Sequence, residues 1–184
     1  MNRLLYLKSR LRFLYQIEGE ALTKALVIFA LTFFGFLVFS QTYTFYIDTQ
    51  DASCFKERLF IGKRLHQREV FVKGDYVSFI GSKTLMLNQF NGQRIVKKVI
   101  ASTGDAVETK EGILYVNGIA TLTQNPETIA KLEKRRAKPV ELKKILERDE
   151  YLVAGDTSVS FDSRYWGVLH AYEIDSRLRP ILWS

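Results

Sequence analysis

From Ala25 to Ile47 no position carries a charge, and Leu, Ile, Val, Phe and Ala fill the first two-thirds of the run. About 20 consecutive apolar residues cross a bilayer as a helix, so the pattern predicts a transmembrane anchor over 25–47. Tyr43, Phe45 and Tyr46 near its end suit the aromatic belt of a membrane interface. The length of the run, and the lack of a clean small-residue cleavage site after it, favour an uncleaved anchor over a signal peptide.

Beyond the anchor the period changes from helical to alternating. Glu69–Val72 and Tyr76–Ile80 read as strands about a Gly74-Asp75 turn, and Phe60-Ile61 opens a short apolar run that Gly62-Lys63-Arg64 breaks. Arg94 to Ile100 is a strand followed by a Gly104-Asp105 turn. Gly112 to Gly118 runs into an Asn-Gly pair, a hairpin signal. Pro126 to Glu150 is charged and helix-prone, which predicts a small helical insertion over about 125–150. Its basic face carries Lys131, Lys134, Arg135, Arg136, Lys143, Lys144 and Arg148. Such a face is usually solvated; it also suits anionic headgroups or a partner. Strand character returns at Tyr151–Ala154, near Ile174 and at Pro180–Trp183. The expected fold is therefore mainly β with a small helical insertion, preceded by one N-terminal transmembrane helix. Its three regions are 1–24, 25–47 and 48–184.

Charge adds an orientation. Lys and Arg number 27 against 20 Asp and Glu, for a net +7. Ahead of the span stand Arg3, Lys8, Arg10, Arg12 and Lys24 against Glu18 and Glu20. This positive excess is expected to stay in the cytoplasm, which sends the part from Asp48 onward outside. The stretch Leu4–Ile17 suits the inner leaflet, a solvated helix or a flexible tail equally well. At 47% hydrophobic residues the chain can build a core, which excludes a disordered protein. The one cysteine, Cys54, cannot form an internal disulfide; it is either a small buried hydrophobe or a reactive group. His66 and His170 stand apart without ligand spacing, so neither a metal nor another cofactor is expected.

Three separated segments carry candidate chemistry. They are Ala52-Ser53-Cys54-Phe55-Lys56-Glu57-Arg58-Leu59-Phe60, then Val96-Lys97-Lys98-Val99-Ile100-Ala101-Ser102-Thr103-Gly104-Asp105, then Gly155-Asp156-Thr157-Ser158-Val159-Ser160-Phe161-Asp162-Ser163-Arg164-Tyr165-Trp166-Gly167. In this order, behind one anchor, they resemble the boxes of the signal peptidase I superfamily. The third box, Ser-x-Asp-Ser-Arg-Tyr-Trp-Gly, is the most specific, and the branch most similar is the conjugative-transfer, TraF-like one. The resemblance implies a signal-peptidase-like β fold and an endopeptidase in the bacterial inner membrane with a periplasmic catalytic domain. Its substrate would be an exported precursor such as a conjugative pilin. Other secretion-system subunits are expected partners, and nucleic acid is not, because nucleic-acid binding accounts for the charge but for neither the anchor nor the boxes.

The chemistry so implied is a nucleophile activated by a lysine, which serves as a base only when its amine is neutral. Lys97 shares a strand face with Ile95 and Val99, and Lys98 points the other way. Box position favours Lys97, while periodicity does not choose, because Lys98 is also flanked by apolar residues. The nucleophile departs from the family pattern. Aligning Leu59-Phe60 with the family's Leu-Tyr-like pair puts Cys54 at the serine position, Phe55 after it, and Lys56 where proline is usual. The other register makes Ser53 the nucleophile. By resemblance, Ser160 bonds and positions the Lys97 amine, Asp162 and Arg164 pair to hold the last box, and the backbone N–H of Cys54 serves the oxyanion. Ala52 offers no helping hydroxyl. A cysteine would pass through a thioester, which amines attack readily, so the acyl group is expected to reach an amine (transpeptidation or cyclisation) as well as water. The missing proline also motivates a second reading: a catalytically inactive scaffold subunit of a conjugation or type IV secretion system.

Overall fold

The computed structural model describes residues 2–47, 54–65, 69–81 and 92–181, with side chains from residue 19 onward. The chain falls into two compact units that divide between Thr42 and Tyr43. The first is a single helix, α1 (Asn2–Thr42). Its stretch Gly19–Thr42 is 24 residues long and contains an 18-residue window of mean hydropathy 2.2, none of it buried. At ~1.5 Å per residue it is about 36 Å long, against the ~30 Å of a hydrocarbon core. It is apolar around its whole circumference, with Leu26, Phe29, Leu31 and Phe34 all exposed, the pattern of a membrane helix and not of a surface one. Thr32 folds its hydroxyl back onto the carbonyls of Ile28 and Phe29, which leaves no unmet donor on an apolar surface.

The apolar run expected to continue as anchor to Ile47 changes structure at Thr42. Tyr43–Ile47 is a strand, β1, with alternating burial. Aromatic and β-branched residues favour the extended chain, and here they pair antiparallel with β2 (Leu59–Arg64). Tyr46 is partly buried and meets polar partners. Its hydroxyl meets Ser78 Oγ at 3.1 Å, and the Arg94 guanidinium sits 5.2 Å from its ring centre.

The second unit holds two sheets. The larger adds β3 (Tyr76–Ile80), β4 (Arg94–Ala101), β9 (Glu150–Ala154), β10 (Leu169–His170) and β11 (Ile174–Pro180), in the order β1-β2-β11-β3-β4-β9-β10. The smaller is β7-β6-β5-β8, from β5 (Ala106–Lys110), β6 (Ile113–Val116), β7 (Ile119–Thr123) and β8 (Lys143–Ile145). The architecture is mainly β, as expected. Phe71, Val77, Phe79, Val99, Tyr151, Val153 and Trp166 form the core of the large sheet, each large apolar side chain contributing ~1.5–3 kcal/mol by leaving water. Val107, Leu114, Val116, Leu142, Leu146 and Leu152 form that of the small one.

Several local expectations are corrected. Gly62 does not break β2; the strand runs through it, because a Cβ there would lie 2.5 Å from the Leu178 side chain of β11. Glu69–Val72 is not a strand. The Asp75 carboxylate accepts the Val72 N–H, and Asp75 N–H bonds Val72 O, so the segment closes as a turn. Only the first part of the 125–150 insertion is helical. Helix α2 (Pro126–Lys134) has Pro126 in its first turn and is capped by the Asn125 side chain. Pro139 and the burial of Leu142 and Leu146 then draw the chain into β8, which pairs with β5. The Asn117-Gly118 hairpin is present, both residues at positive φ (51° and 77°). Near the C-terminus one strand, β11, runs from Ile174 to Pro180; Trp183 lies outside the described residues.

Candidate active site

Lys97 enters the site from the middle of β4, opposite Val77 of β3. Strand alternation puts Lys97, Val99 and Ala101 on the buried side. The Lys97 side chain is only 3% exposed. Its Nζ donates to Ser160 Oγ at 2.8 Å and to Cys54 Sγ at 3.0 Å. Among the described residues it has no ion pair.

Cys54 is half-buried at the entry to the sheet. Two contacts place it. Its carbonyl accepts the backbone N–H of Asp156 at 2.8 Å, and the next side chain, Phe55, is buried edge-on against Phe60 and Tyr76. Gly155 provides the space. A Cβ on it would fall 2.5 Å from Ser160 Oγ and 2.9 Å from Cys54 Cβ, so no side chain fits where these two residues approach.

Ser160 closes a turn whose N–H bonds Thr157 O. Buried Arg164 holds that turn. Its Nη2 donates to the carbonyls of Thr157 and Ser160, and its Nη1 to that of Thr123. Asp162 accepts Arg164 Nε at 2.8 Å and Nη2 at 2.7 Å, and also takes the backbone N–H groups of Arg164 and Gly155. Asp162 thereby caps a short helix, α3 (Ser163–Trp166). Burial opposes the guanidinium charge, but the bonds and charge of Asp162 outweigh it and hold Arg164 above its ordinary pKa. Beyond their bonds to each other, the two side chains bond backbone groups of Thr123, Gly155, Thr157, Ser160 and Arg164, which is how a buried ion pair avoids being a liability.

The structure thus brings together Cys54, Lys97 and Ser160, with Asp162 and Arg164 directly behind them. Ser53, Ala52 and His66 lie outside the described residues. His170 stacks on Tyr172 at 5.2 Å, away from these groups, and no metal-holding cluster exists among the described residues. Two contributors were not singled out from the sequence: Gly155 and Asp156. The Gly-Asp turn was visible, but its value is the missing Cβ and the N–H aimed at Cys54. Lys98 lies on the opposite strand face, bonded to Asp156 at 2.9 Å and 5.0 Å from the Tyr76 ring centre. Burial works against its charge, yet bonds to Asp156 and Tyr76 and their charges hold its pKa above the ordinary value. Adjacent lysines on one strand therefore meet opposite environments.

With the geometry in view, comparison with known proteins gives the class. The sequence profile of signal peptidases of the peptidase S26 type matches residues 19–183. The chain belongs to that family. It is 30% identical over 128 residues to the probable signal peptidase I-2 of Synechocystis sp., an alignment covering 69% of this chain and 55% of the relative. The chain thus spans about half the length of this curated relative. The crystal structure of a signal peptidase I from Enterococcus faecalis V583 aligns over 61% of this chain and 100% of that one, at 23% identity and a TM-score of 0.38.

Proposed function

We propose that the protein is a membrane-anchored endopeptidase in which Cys54 is the nucleophile and Lys97 the general base, acting on exported precursors, conjugative pilins among them. The observation that carries this reading is the buried Lys97 amine, 3.0 Å from Cys54 Sγ and held by Ser160 Oγ at 2.8 Å. Neutral Lys97 takes the thiol proton as sulfur attacks the scissile carbonyl. The backbone N–H of Cys54 is the candidate donor to the resulting oxyanion. As the C–N bond breaks, the Lys97 ammonium returns the proton to the leaving amine, leaving a thioester. Water then gives its proton to Lys97 and attacks the thioester; the C–S bond breaks, and the departing thiolate recovers that proton. An amine in place of water gives a new peptide bond, so the same intermediate permits transpeptidation or cyclisation. Ser160 positions Lys97, and Asp162 with Arg164 positions Ser160. The substrate adds as an extended strand. The basic residues before the apolar span support a cytoplasmic N-terminus and a periplasmic β unit.

Because the chain has one cysteine, alkylation of that thiol against pH, followed by mass spectrometry in detergent, tests the dyad without a known substrate. Fast labelling near neutral pH that slows about tenfold or more in Lys97→Ala is expected, since a general base of this kind is worth ~10²–10⁴ in rate. Slow labelling indifferent to Lys97 would remove Cys54, leaving Ser53 as nucleophile or the chain as an inactive scaffold. A processed product whose mass shows a free carboxyl terminus would exclude cyclisation.

A further inference from the structure

A cleft of about 310 Å³ lies next to the site, and the chemistry above makes no use of it. Leu132 of α2, Val159 and Phe161 give it an apolar lining, and Lys131, Lys134 and Arg135 give it a cationic rim. Val159 and Phe161 flank Ser160, whose hydroxyl holds the Lys97 amine. One wall of the cleft is therefore the segment that orders the dyad. The wall is firm, because Phe161 stacks on Tyr165 at 5.4 Å and Arg164 fixes the Ser160 carbonyl. The opposite wall is firm too: Leu132 is buried, and α2 is capped at its start by Asn125. Glu127 and Glu133 lie on the same helix, yet among the described residues neither Lys131 nor Lys134 is in an ion pair. Both lysines are exposed and free to meet an outside anion.

We propose that this cleft is a specificity subsite for an acidic, apolar segment of the substrate. A large apolar side chain sits on Leu132, Val159 and Phe161, and a neighbouring carboxylate meets Lys131 and Lys134. The proposal rests on the peptidase reading and names the substrate class that reading leaves open. The volume lies at the low end of ligand clefts, ~300–1,000 Å³, enough for one large side chain and part of the next. A lipid headgroup would need only the cations; the concave aromatic wall and its continuity with Ser160 favour a peptide.

The test uses the full chain in detergent micelles and two fluorescein-labelled peptides, one ending Ala-Ala-Phe-Glu-Glu and the other Ala-Ala-Phe-Gln-Gln. Fluorescence anisotropy is expected to show roughly tenfold tighter binding of the acidic peptide at low salt, the scale of two exposed charge pairs. The preference is expected to shrink in Lys131→Gln/Lys134→Gln and to reverse in Lys131→Glu/Lys134→Glu, while Cys54 alkylation keeps its parent rate in both and so reports an intact fold. Equal binding of the two peptides, or a preference unmoved by either double variant, overturns the proposal. So does equal peptide binding combined with variant-sensitive binding to phosphatidylglycerol vesicles, which would make the rim a lipid contact. The two readings fail separately. Fast, Lys97-dependent labelling without peptide discrimination sinks the cleft alone; slow, Lys97-independent labelling with discrimination sinks the dyad and leaves a peptide-binding cleft.

Discussion

Strands β9 and β5 have the same length and belong to different sheets, and their surroundings are opposite. Every residue of β9, Glu150 to Ala154, is buried. In β5 only Val107 is buried, while Ala106, Glu108 and Lys110 face solvent. The small sheet has one dry face and one wet one, as antiparallel sheets commonly do. The large sheet is covered on both faces at β9, where all five residues are buried, and on one face of β4. Lysines at covered and open positions differ accordingly. Lys110 and Lys143 in the small sheet reach water, and Lys143 makes only a loose 3.5 Å pair with Glu108. Lys97, beside β9, is enclosed and meets a thiol and a hydroxyl. The position within the sheet, not the residue type, decides whether a lysine amine is enclosed or solvated.

The contrast breaks most sharply at Arg164→Ala. This would leave Asp162 buried and uncompensated and free the Thr157, Ser160 and Thr123 carbonyls. Removing one partner of a buried pair costs about 3–5 kcal/mol, read as a lowered urea midpoint, with a matching loss of Lys97-dependent Cys54 labelling. Gly155→Ala is next. Its Cβ would overlap Ser160 and Cys54, and overpacking of this kind costs ~1–3 kcal/mol. Here the fold is expected to survive while Cys54 labelling loses its dependence on Lys97; unchanged labelling would show that the approach at Gly155 is not needed.

The smallest effect lies at the seam between the two sheets. Glu150 of β9 accepts Lys144 Nζ of β8 at 2.8 Å and the Glu147 N–H at 2.7 Å. Burial raises its pKa, but those bonds, with the charges of Lys144 and His170, outweigh burial and leave the carboxyl below its ordinary value of 4.5. A depressed folded pKa contributes stability that is fully present above the unfolded value and is lost as pH falls through the folded one. Glu150→Gln is therefore expected to be less stable than the parent at neutral pH, with the difference shrinking as the pH drops below about 4.3. A difference that persists unchanged into acid would remove the charge from the explanation.

Legibility in the sequence divides along the same line, between local pattern and three-dimensional surroundings. The apolar helix and the Asn117-Gly118 hairpin were legible because each is a local pattern of period or turn chemistry, whereas Lys97 was favoured over Lys98 only by its place in the family-like box, since both lysines have apolar neighbours along the strand. Gly62 was misread because its role is contact with Leu178, far along the chain. Glu69–Val72 alternates like a strand, but Asp75 takes the N–H that a neighbouring strand would need. Residues after Lys134 have helical composition, yet Leu142 and Leu146 find the small sheet's core. At the site, the residue types and their order were visible, whereas the empty space at Gly155 and the N–H that Asp156 turns on Cys54 exist only in three dimensions.

The position of β11 has a consequence in time. This strand, which follows the other ten in sequence, lies between β2 and β3, with partners on both sides. The ribosome delivers the chain in order, so the large sheet has a gap in its middle until Ile174–Pro180 arrive. Cys54 and Lys97 are 43 residues apart and Lys97 and Ser160 are 63, and such non-local pairings form late. A chain delivered as far as Ser160 but without β11 therefore carries Cys54, Lys97 and Ser160 while the sheet that aligns them is still open.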